Sequence, residues 1–186
     1  MKLVLASKSP RRKEILAQAG YEFEIVVSNV DENVEEEKAE DKVLAIAKKK
    51  GLDIYSKINQ AEDSVILSAD TIVVLDNIIL GKPKDKEDAR NMISLLNGKT
   101  HQVYTAVYIK GKNIEYQFLE KTDVDIVPMN IEEIEEYINT KEPYDKAGSY
   151  AIQGIFSKYI SAINGDYYNV MGLPICKVNS ILKKLL

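Results

Sequence analysis

Three cationic side chains fall at the predicted start of a helix near the beginning of the chain. Lys8, Arg11 and Arg12 surround Ser9 and Pro10, which suit the N-cap and the first helical position. Cations there oppose the helix dipole by about 0.3–1 kcal/mol each, so we expect Arg11→Ala or Arg12→Ala to leave the unliganded fold equally or more stable. Backbone amides together with arginine forks form an anion site. A solvated basic helix start is the alternative reading.

Acidic residues at two positions could hold a divalent cation. Asp70 follows the apolar run 65–69, and α/β proteins gather ligands at the carboxyl ends of strands, although a simple strand-end cap is common. Asp31 and Glu32 follow another predicted strand, although paired acids in a loop usually face water. The sequence has one histidine, which excludes a His-rich zinc site. Carboxylates and phosphates instead favour Mg²⁺ or Mn²⁺.

Three further residues could take part in chemistry or in structure. Lys82, between Gly81 and Pro83, could reach a phosphate or be an exposed turn lysine. Gln153 lies near the end of an irregular stretch, 142–154, and its amide could read a base edge that carries both a donor and an acceptor. His101 is a general base by type, but a histidine at a strand start is more often a structural hydrogen-bonding group.

Composition excludes several classes of protein. The 186 residues carry a net charge of −4, which disfavours broad nucleic-acid binding. The lone Cys176 excludes a disulfide scaffold, and no apolar run is long enough to span a membrane. The first 20 residues lack the apolar run of a signal peptide, so we expect a cytoplasmic protein that binds neither nucleic acid nor membrane.

Apolar runs and amphipathic segments alternate along the chain, which predicts a single α/β domain over residues 1–186. The expected fold is a mixed, curved sheet flanked by helices. Local signals predict caps at Ser9 and Asp85, a capping box at Asn130 and Glu133, and a hairpin turn at 76–77. The pattern also predicts a helix over 35–50 stopped by Gly51, a loop over 56–63 and a strand over 156–163.

Seven short motifs, in order, resemble those of the Maf family of septum-formation-inhibitor proteins, which are nucleoside triphosphate pyrophosphatases. The resemblance covers nearly the whole chain. The motifs are LASxSPRR at 5–12, an acidic pair at 31–32, SADT at 68–71, GKP at 81–83, GxxHxV at 98–103, EPxDKAGxYxIQG at 142–154 and GDxxNVxGLP at 165–174.

The resemblance implies a fold with two lobes around a cleft, similar to inosine triphosphate pyrophosphatases, and the family is often dimeric. It implies hydrolysis of a nucleoside triphosphate to the monophosphate and pyrophosphate with a divalent cation, Mg²⁺ or Mn²⁺, on Glu32 and Asp70. By the same resemblance Asp70 is the proton acceptor. The remaining implied substrate-binding residues are Ser7, Arg11, Arg12, Glu32, Lys48, Thr71, Lys82 and Gln153.

Within that set, Arg11, Thr71 and Gln153 match positions associated with substrate choice. The family usually has Lys-Ala where Lys48 and Lys49 stand, so the resemblance assigns the pocket lysine to Lys48, with Lys50 nearby. The IQG ending resembles the branch that acts on dTTP and UTP. Two alternatives stay open: a pyrophosphatase for 7-methyl-GTP or other modified nucleotides, and a nucleotide-sensing regulator of cell division without turnover.

Overall fold

A computed structural model of the protein describes residues 1–58 and 64–186, so residues 59–63 of the predicted loop lie outside the described residues. Within these ranges the chain forms seven strands and six α-helices. The strands are β1 Lys2–Leu5, β2 Glu24–Ile25, β3 Ser64–Leu75, β4 Ile78–Leu80, β5 Thr100–Gly111, β6 Ile114–Ile126 and β7 Ile160–Asn164. The α-helices are α1 Pro10–Gln18, α2 Ala39–Lys57, α3 Lys86–Leu96, α4 Ile131–Ile138, α5 Tyr167–Met171 and α6 Ile175–Leu182. Over the described ranges, none of the helices is both long and apolar enough to cross a membrane.

The described strands form one mixed sheet in the order β2-β1-β3-β5-β6-β7, with β4 paired to β3. β1 runs parallel to both β2 and β3, whereas β4 on β3 and β7 on β6 are antiparallel. Asp76 and Asn77 close the β3–β4 hairpin with φ of 50° and 67°, values that Asp and Asn tolerate best among residues with a Cβ. The mixed α/β sheet and this predicted hairpin are confirmed.

The chain divides into two compact units. The first comprises Met1–Asp70, Thr105–Glu120 and Gly172–Leu186. A buried cluster joins α2 to the parallel strands, and it contains Val4, Ala6, Ile54 and Ile66. Burying such apolar side chains contributes about 1.5–3 kcal/mol each for the larger ones, so this cluster holds α2 on the sheet.

Gly51 does not end a helix, as the sequence predicts, because α2 continues through it to Lys57. A Cβ at Gly51 would lie 2.4 Å from Tyr108 Cδ1 and 2.6 Å from Ser68 Oγ. The glycine therefore lets α2 lie directly against β3 and β5. A close helix–strand approach, rather than a helix stop, is the reason for a glycine here.

The second unit comprises Thr71–Tyr104 and Lys121–Met171. Its core contains an aromatic group of Tyr137, Tyr150, Phe156 and Tyr159, with ring centroids 4.9–5.5 Å apart in the pairs that include Phe156. Asp85 caps α3, and Asn130 with Glu133 forms the capping box of α4, as predicted. The strand predicted over 156–163 is wrong in its first half, because residues 155–159 form a 3-10 helix that turns Phe156 into this core.

Arg12 connects the start of α1 to the last segment of the first unit. Ser9 caps α1 as predicted, but the Arg12 side chain is buried instead of solvated. Its Nε donates to the Gly172 carbonyl at 2.7 Å, and its Nη1 donates to Ser7 Oγ at 3.1 Å. The expectation that Arg12 adds nothing to the stability of the unliganded fold is therefore revised.

His101 has no exposed surface, and its Nε2 lies 2.7 Å from the Tyr150 hydroxyl. Burial lowers the pKa of His101 to about 4, although the charges of Asp125 and Asp123 act against that shift. A neutral, enclosed imidazole is a structural group of the second unit. Of the two interpretations of His101, the geometry favours the hydrogen-bonding one.

We expect His101 to make the folded state sensitive to mild acid. Its folded pKa lies below the ordinary value, so the unfolded chain takes up the proton first as the pH falls. The stabilisation is complete above about pH 6.5 and is lost towards about pH 4, with about 2 kcal/mol gone between about pH 7 and pH 5. Urea denaturation across this interval measures it. His101→Gln should flatten the dependence, and an unchanged slope in that variant would contradict the assignment.

The two neighbouring arginines should differ in their effect on stability. Arg12→Ala removes two hydrogen bonds from a charged, buried donor, so we expect the free energy of unfolding to fall by about 2 kcal/mol. Arg11→Ala is the matched control and should change it by less than about 1 kcal/mol. Denaturation of both unliganded variants measures the difference. Equal stabilities would show that the Arg12 contacts contribute nothing.

Candidate active site

The Lys50 ammonium group joins two acidic residues of the first unit. Lys50 Nζ lies 2.7 Å from Asp70 Oδ1 and 2.8 Å from Glu32 Oε1. Only 14% of the Lys50 side chain and 14% of the Asp70 side chain is exposed, whereas Glu32 is 62% exposed. A shielded ammonium between two carboxylates is a charged arrangement open to solvent on the Glu32 side.

Helix geometry explains why Lys50, and not Lys48, reaches Asp70. Residues four apart share one face of a helix, so Lys50 continues the buried row formed by Ile46 and Ile54. The close approach at Gly51 brings that row against β3. Lys48 is two residues away, about 200° round the helix, and therefore points in another direction.

Lys48 lies in a different set of contacts of the first unit. Its Nζ is 3.1 Å from Glu115 Oε1 and 5.8 Å from the centre of the Tyr108 ring. Lys110 binds the other oxygen of Glu115 at 3.1 Å, and hydrogen bonds from these lysines lower the pKa of Glu115. The structure thus places Lys50 against Glu32 and Asp70, and it places Lys48 against Glu115. The periodicity of α2 was the signal in the sequence that could have chosen between them.

Asp70 lies within a strand rather than after one, because β3 runs on to Leu75. The parallel pairing of β3 with β1 ends at Leu5 and Leu67, followed by one hydrogen bond from Ala6 N to the Leu67 carbonyl at 2.8 Å. Asp70 therefore lies just beyond the end of its neighbouring strand, which leaves its side chain half-buried.

Arg12 carries a positive charge close to Asp70 and Glu32. Burial lowers the pKa of the Arg12 guanidinium, and the Asp70 carboxylate opposes that shift. The Arg11 charge adds to the lowering, while Glu32 acts in the same direction as Asp70. The predicted residues Arg11, Arg12, Glu32 and Asp70 are thus electrostatic neighbours in the first unit. Ser7 belongs with them through its hydrogen bond to Arg12.

The remaining predicted residues belong to the second unit. Thr71 is half-buried in β3, and Lys82 is exposed just after β4. The backbone beside Lys82 is held by the Gly148 amide, which donates to the Gly81 carbonyl at 3.0 Å. Gly148 has φ of +67°, and a Cβ there would lie 3.0 Å from Val73, so the close approach requires a glycine. The GKP and DKAG motifs are therefore bound to each other.

Gln153 is exposed at the start of the 3-10 helix Ile155–Tyr159. The preceding turn is closed by the Gly154 amide, which donates to the Ala151 carbonyl at 3.3 Å. Glu142, which the sequence does not single out as a functional residue, accepts backbone N–H groups from the two residues that follow Gly154. Its place at the head of the motif that ends in Gln153 was the available signal.

Glu32 and Asp70 are the two carboxylates that could hold a metal ion among the described residues. Within residues 1–58 and 64–186, no group of three or more His, Cys, Asp or Glu side chains is arranged to hold one. Glu32 and Asp70 nevertheless converge on a single cationic nitrogen. Mg²⁺ is commonly held by one or two carboxylates with substrate phosphates and water, so this donor set fits such an ion.

Comparison with solved structures shows a related fold. The Staphylococcus aureus Ham1 protein is similar with a TM-score of 0.52 over 99% of both chains, at 10% sequence identity. At that identity the likeness concerns the fold alone. It agrees with the mixed α/β fold class expected from the sequence.

Curated relatives are similar over almost their whole length. A dTTP/UTP pyrophosphatase of Clostridium botulinum is 48% identical and covers 99% of both chains. One from Bacillus cytotoxicus is 47% identical over 98% of this chain and 95% of its own, and one from Agathobacter rectalis is 42% identical over 98% and 97%. The family model described as Maf-like protein matches residues 2–185. The chain therefore belongs to the Maf family.

Proposed function

We propose that this protein hydrolyses nucleoside triphosphates, dTTP and UTP foremost, to the monophosphate and pyrophosphate. Relatives 42–48% identical over nearly the full length carry the name dTTP/UTP pyrophosphatase. The observation that carries the proposal is Asp70 held by Lys50 next to the buried cation Arg12. An acid beside cations suits attack on a phosphate, whereas a protein that only senses nucleotides needs no acid there.

The start of α1 and the cations of the first unit are the proposed triphosphate site. The Arg11 guanidinium at this helix start can bind phosphate oxygens, and a cation there stabilises the charge that develops during phosphoryl transfer. Arg12 holds Ser7 and Gly172 and so fixes this helix start. We propose that Lys82 adds a further contact to the phosphates.

Asp70 is the proposed proton acceptor for the attacking water. Its hydrogen bond to Lys50 fixes one oxygen, so the other oxygen can accept a proton from water in a defined direction. The Lys50 ammonium group also offsets the negative charge of two neighbouring carboxylates. By this geometry Lys50, and not Lys48, is the lysine that acts with Asp70.

Glu32 and Asp70 are the residues that we propose to hold a divalent cation, Mg²⁺ or Mn²⁺. A bound divalent ion would neutralise phosphate charge and lower the pKa of a coordinated water. Lys50, which contacts both carboxylates, would be a further cation near the substrate phosphates.

Gln153 is the proposed reader of the base, with Arg11 and Thr71 as further determinants of substrate choice. Uracil and thymine present an N–H between two carbonyl groups, and an amide can both accept from the one and donate to the other. A wrong base would leave these polar groups unpaired, and that penalty provides the discrimination.

We also propose a domain organisation, a cellular location and an oligomeric state. Residues 1–186 act as one domain, which the chain path supports because it passes between the two units four times. The protein works in the cytoplasm, where nucleoside triphosphates are available, and it works without nucleic acid or membrane. The homodimer is proposed on the family resemblance alone.

Pyrophosphate release measured on a nucleotide panel tests the proposed function. We expect release from dTTP and UTP well ahead of ATP, GTP and 7-methyl-GTP, and loss of activity in excess EDTA with recovery on adding Mg²⁺ or Mn²⁺. Preference for 7-methyl-GTP would favour the modified-nucleotide alternative. Nucleotide binding without any product would favour the sensor, and stepwise release of orthophosphate would contradict the reaction.

A matched pair of lysine variants tests which lysine acts at the site. Lys50→Met should lower kcat on UTP by about 100-fold or more, because it removes the ion pair that orients the acceptor. Asp70→Asn should cause a similar loss, because the amide lacks the charge and basicity of the acceptor. Lys48→Met on the same helix should lower it by less than about threefold, since its partner is Glu115. Steady-state kinetics measures both. A larger loss for Lys48→Met would restore the assignment made from the motif.

A further inference from the structure

The Glu142 carboxylate contacts the backbone directly after the turn that contains Gln153. Glu142 Oε2 accepts the backbone N–H of Ile155 at 2.6 Å, and Oε1 accepts that of Phe156 at 3.1 Å. These amides are the first two of the 3-10 helix Ile155–Tyr159. Glu142 therefore supplies from 13 residues away the capping that a local side chain usually provides.

The backbone of Gly154 lies directly against this carboxylate. A Cβ at Gly154 would lie 2.1 Å from Glu142 Oε2 and 2.6 Å from Oε1. A side chain there would have to displace the carboxylate, so the glycine lets the chain fold onto Glu142. Gln153, the adjacent residue, thereby has its backbone fixed on one side.

Glu142 is itself oriented by the core of the second unit. The buried Tyr137 hydroxyl lies 3.1 Å from Glu142 Oε1 and 3.0 Å from the Ser149 carbonyl oxygen. Lys146 Nζ donates to the Glu142 carbonyl at 2.7 Å. Because the Glu142 carboxylate is held in this way, it fixes the position of the turn. A freely rotating carboxylate would instead move with the turn.

We propose that Glu142 is a positioning residue for base recognition: it holds the turn at Gly154 so that the exposed Gln153 amide faces the base in one orientation. This inference rests on the proposed function, in which Gln153 reads uracil or thymine. Glu142 itself need not contact the substrate. Its effect is on selectivity, because hydrogen bonds to a base depend on the direction of the amide.

Glu142→Gln is the informative substitution. The two N–H donors bind different oxygens of Glu142, and an amide offers only one oxygen, so its NH₂ group must face one of the donors. The side chain keeps its size, while the turn loses one hydrogen bond and the other is no longer charge-assisted. Glu133→Gln is the matched control, since Glu133 accepts the Asn130 N–H at the start of α4, away from Gln153.

Pyrophosphate-release kinetics of the full chain on dTTP, UTP, ATP and GTP provide the test. We expect Glu142→Gln to lower kcat/KM about tenfold on dTTP and UTP, mainly through KM, and less than about twofold on ATP and GTP. Glu133→Gln should change none of the four by more than about twofold. In a Gln153→Ala background, Glu142→Gln should have no further effect on selectivity, because the group that it positions is gone.

The possible outcomes separate the positioning role of Glu142 from the pyrophosphatase activity itself. Equal losses on all four nucleotides, or an undiminished effect in the Gln153→Ala background, would overturn the positioning role while leaving the pyrophosphatase activity intact. A wild-type protein that releases no pyrophosphate would overturn the proposed function and this inference with it. If Glu142→Gln does not fold, Gly154→Ala serves instead, since its Cβ displaces the carboxylate and should produce the same loss of selectivity.

Discussion

The Lys50 ammonium group lies between the carboxylates of Asp70 and Glu32, with little of its side chain in contact with water. Taking an ammonium ion or a carboxylate out of water is costly unless a charged partner lies beside it, so the shielded groups Lys50 and Asp70 depend on each other. The contact requires α2 to lie directly on β3. Only a glycine at position 51 permits this close approach, because a Cβ there would clash with Tyr108 and Ser68. The local architecture of the first unit thus serves one charged arrangement.

Such an arrangement contributes little to net stability, because desolvation offsets most of the attraction between buried opposite charges. Under the proposed function its value lies in preorganisation, because the charges would already be in place before a phosphate binds. Arg12 adds a second buried cation nearby and holds Ser7 and Gly172 through hydrogen bonds. Arg12, the second arginine of the RR motif, therefore has a structural reason to be present.

The second unit positions its residues by backbone hydrogen bonds to a rigid core. Phe156, at the centre of the aromatic group, fixes the 3-10 helix that follows Gln153. Glu142 and Tyr137 extend that order to the turn itself. The Gly148–Gly81 hydrogen bond does the same beside Lys82. The exposed side chains of Gln153 and Lys82 are thus carried on a backbone with little freedom, which would lower the entropic cost of binding a ligand.

The sequence by itself determined the fold class, the family and the features that depend on neighbouring residues. The caps at Ser9, Asp85 and Asn130 and the turn at 76–77 were all predictable, because each hydrogen bond or φ value involves residues at most three apart. Tertiary structure decided the roles of Gly51, Lys50 and Glu142. The contacts Lys50–Asp70, Glu142–Ile155 and Gly51–Tyr108 join residues 13 to 57 apart in the sequence. These roles therefore depend on how closely separate elements pack, which local patterns do not encode.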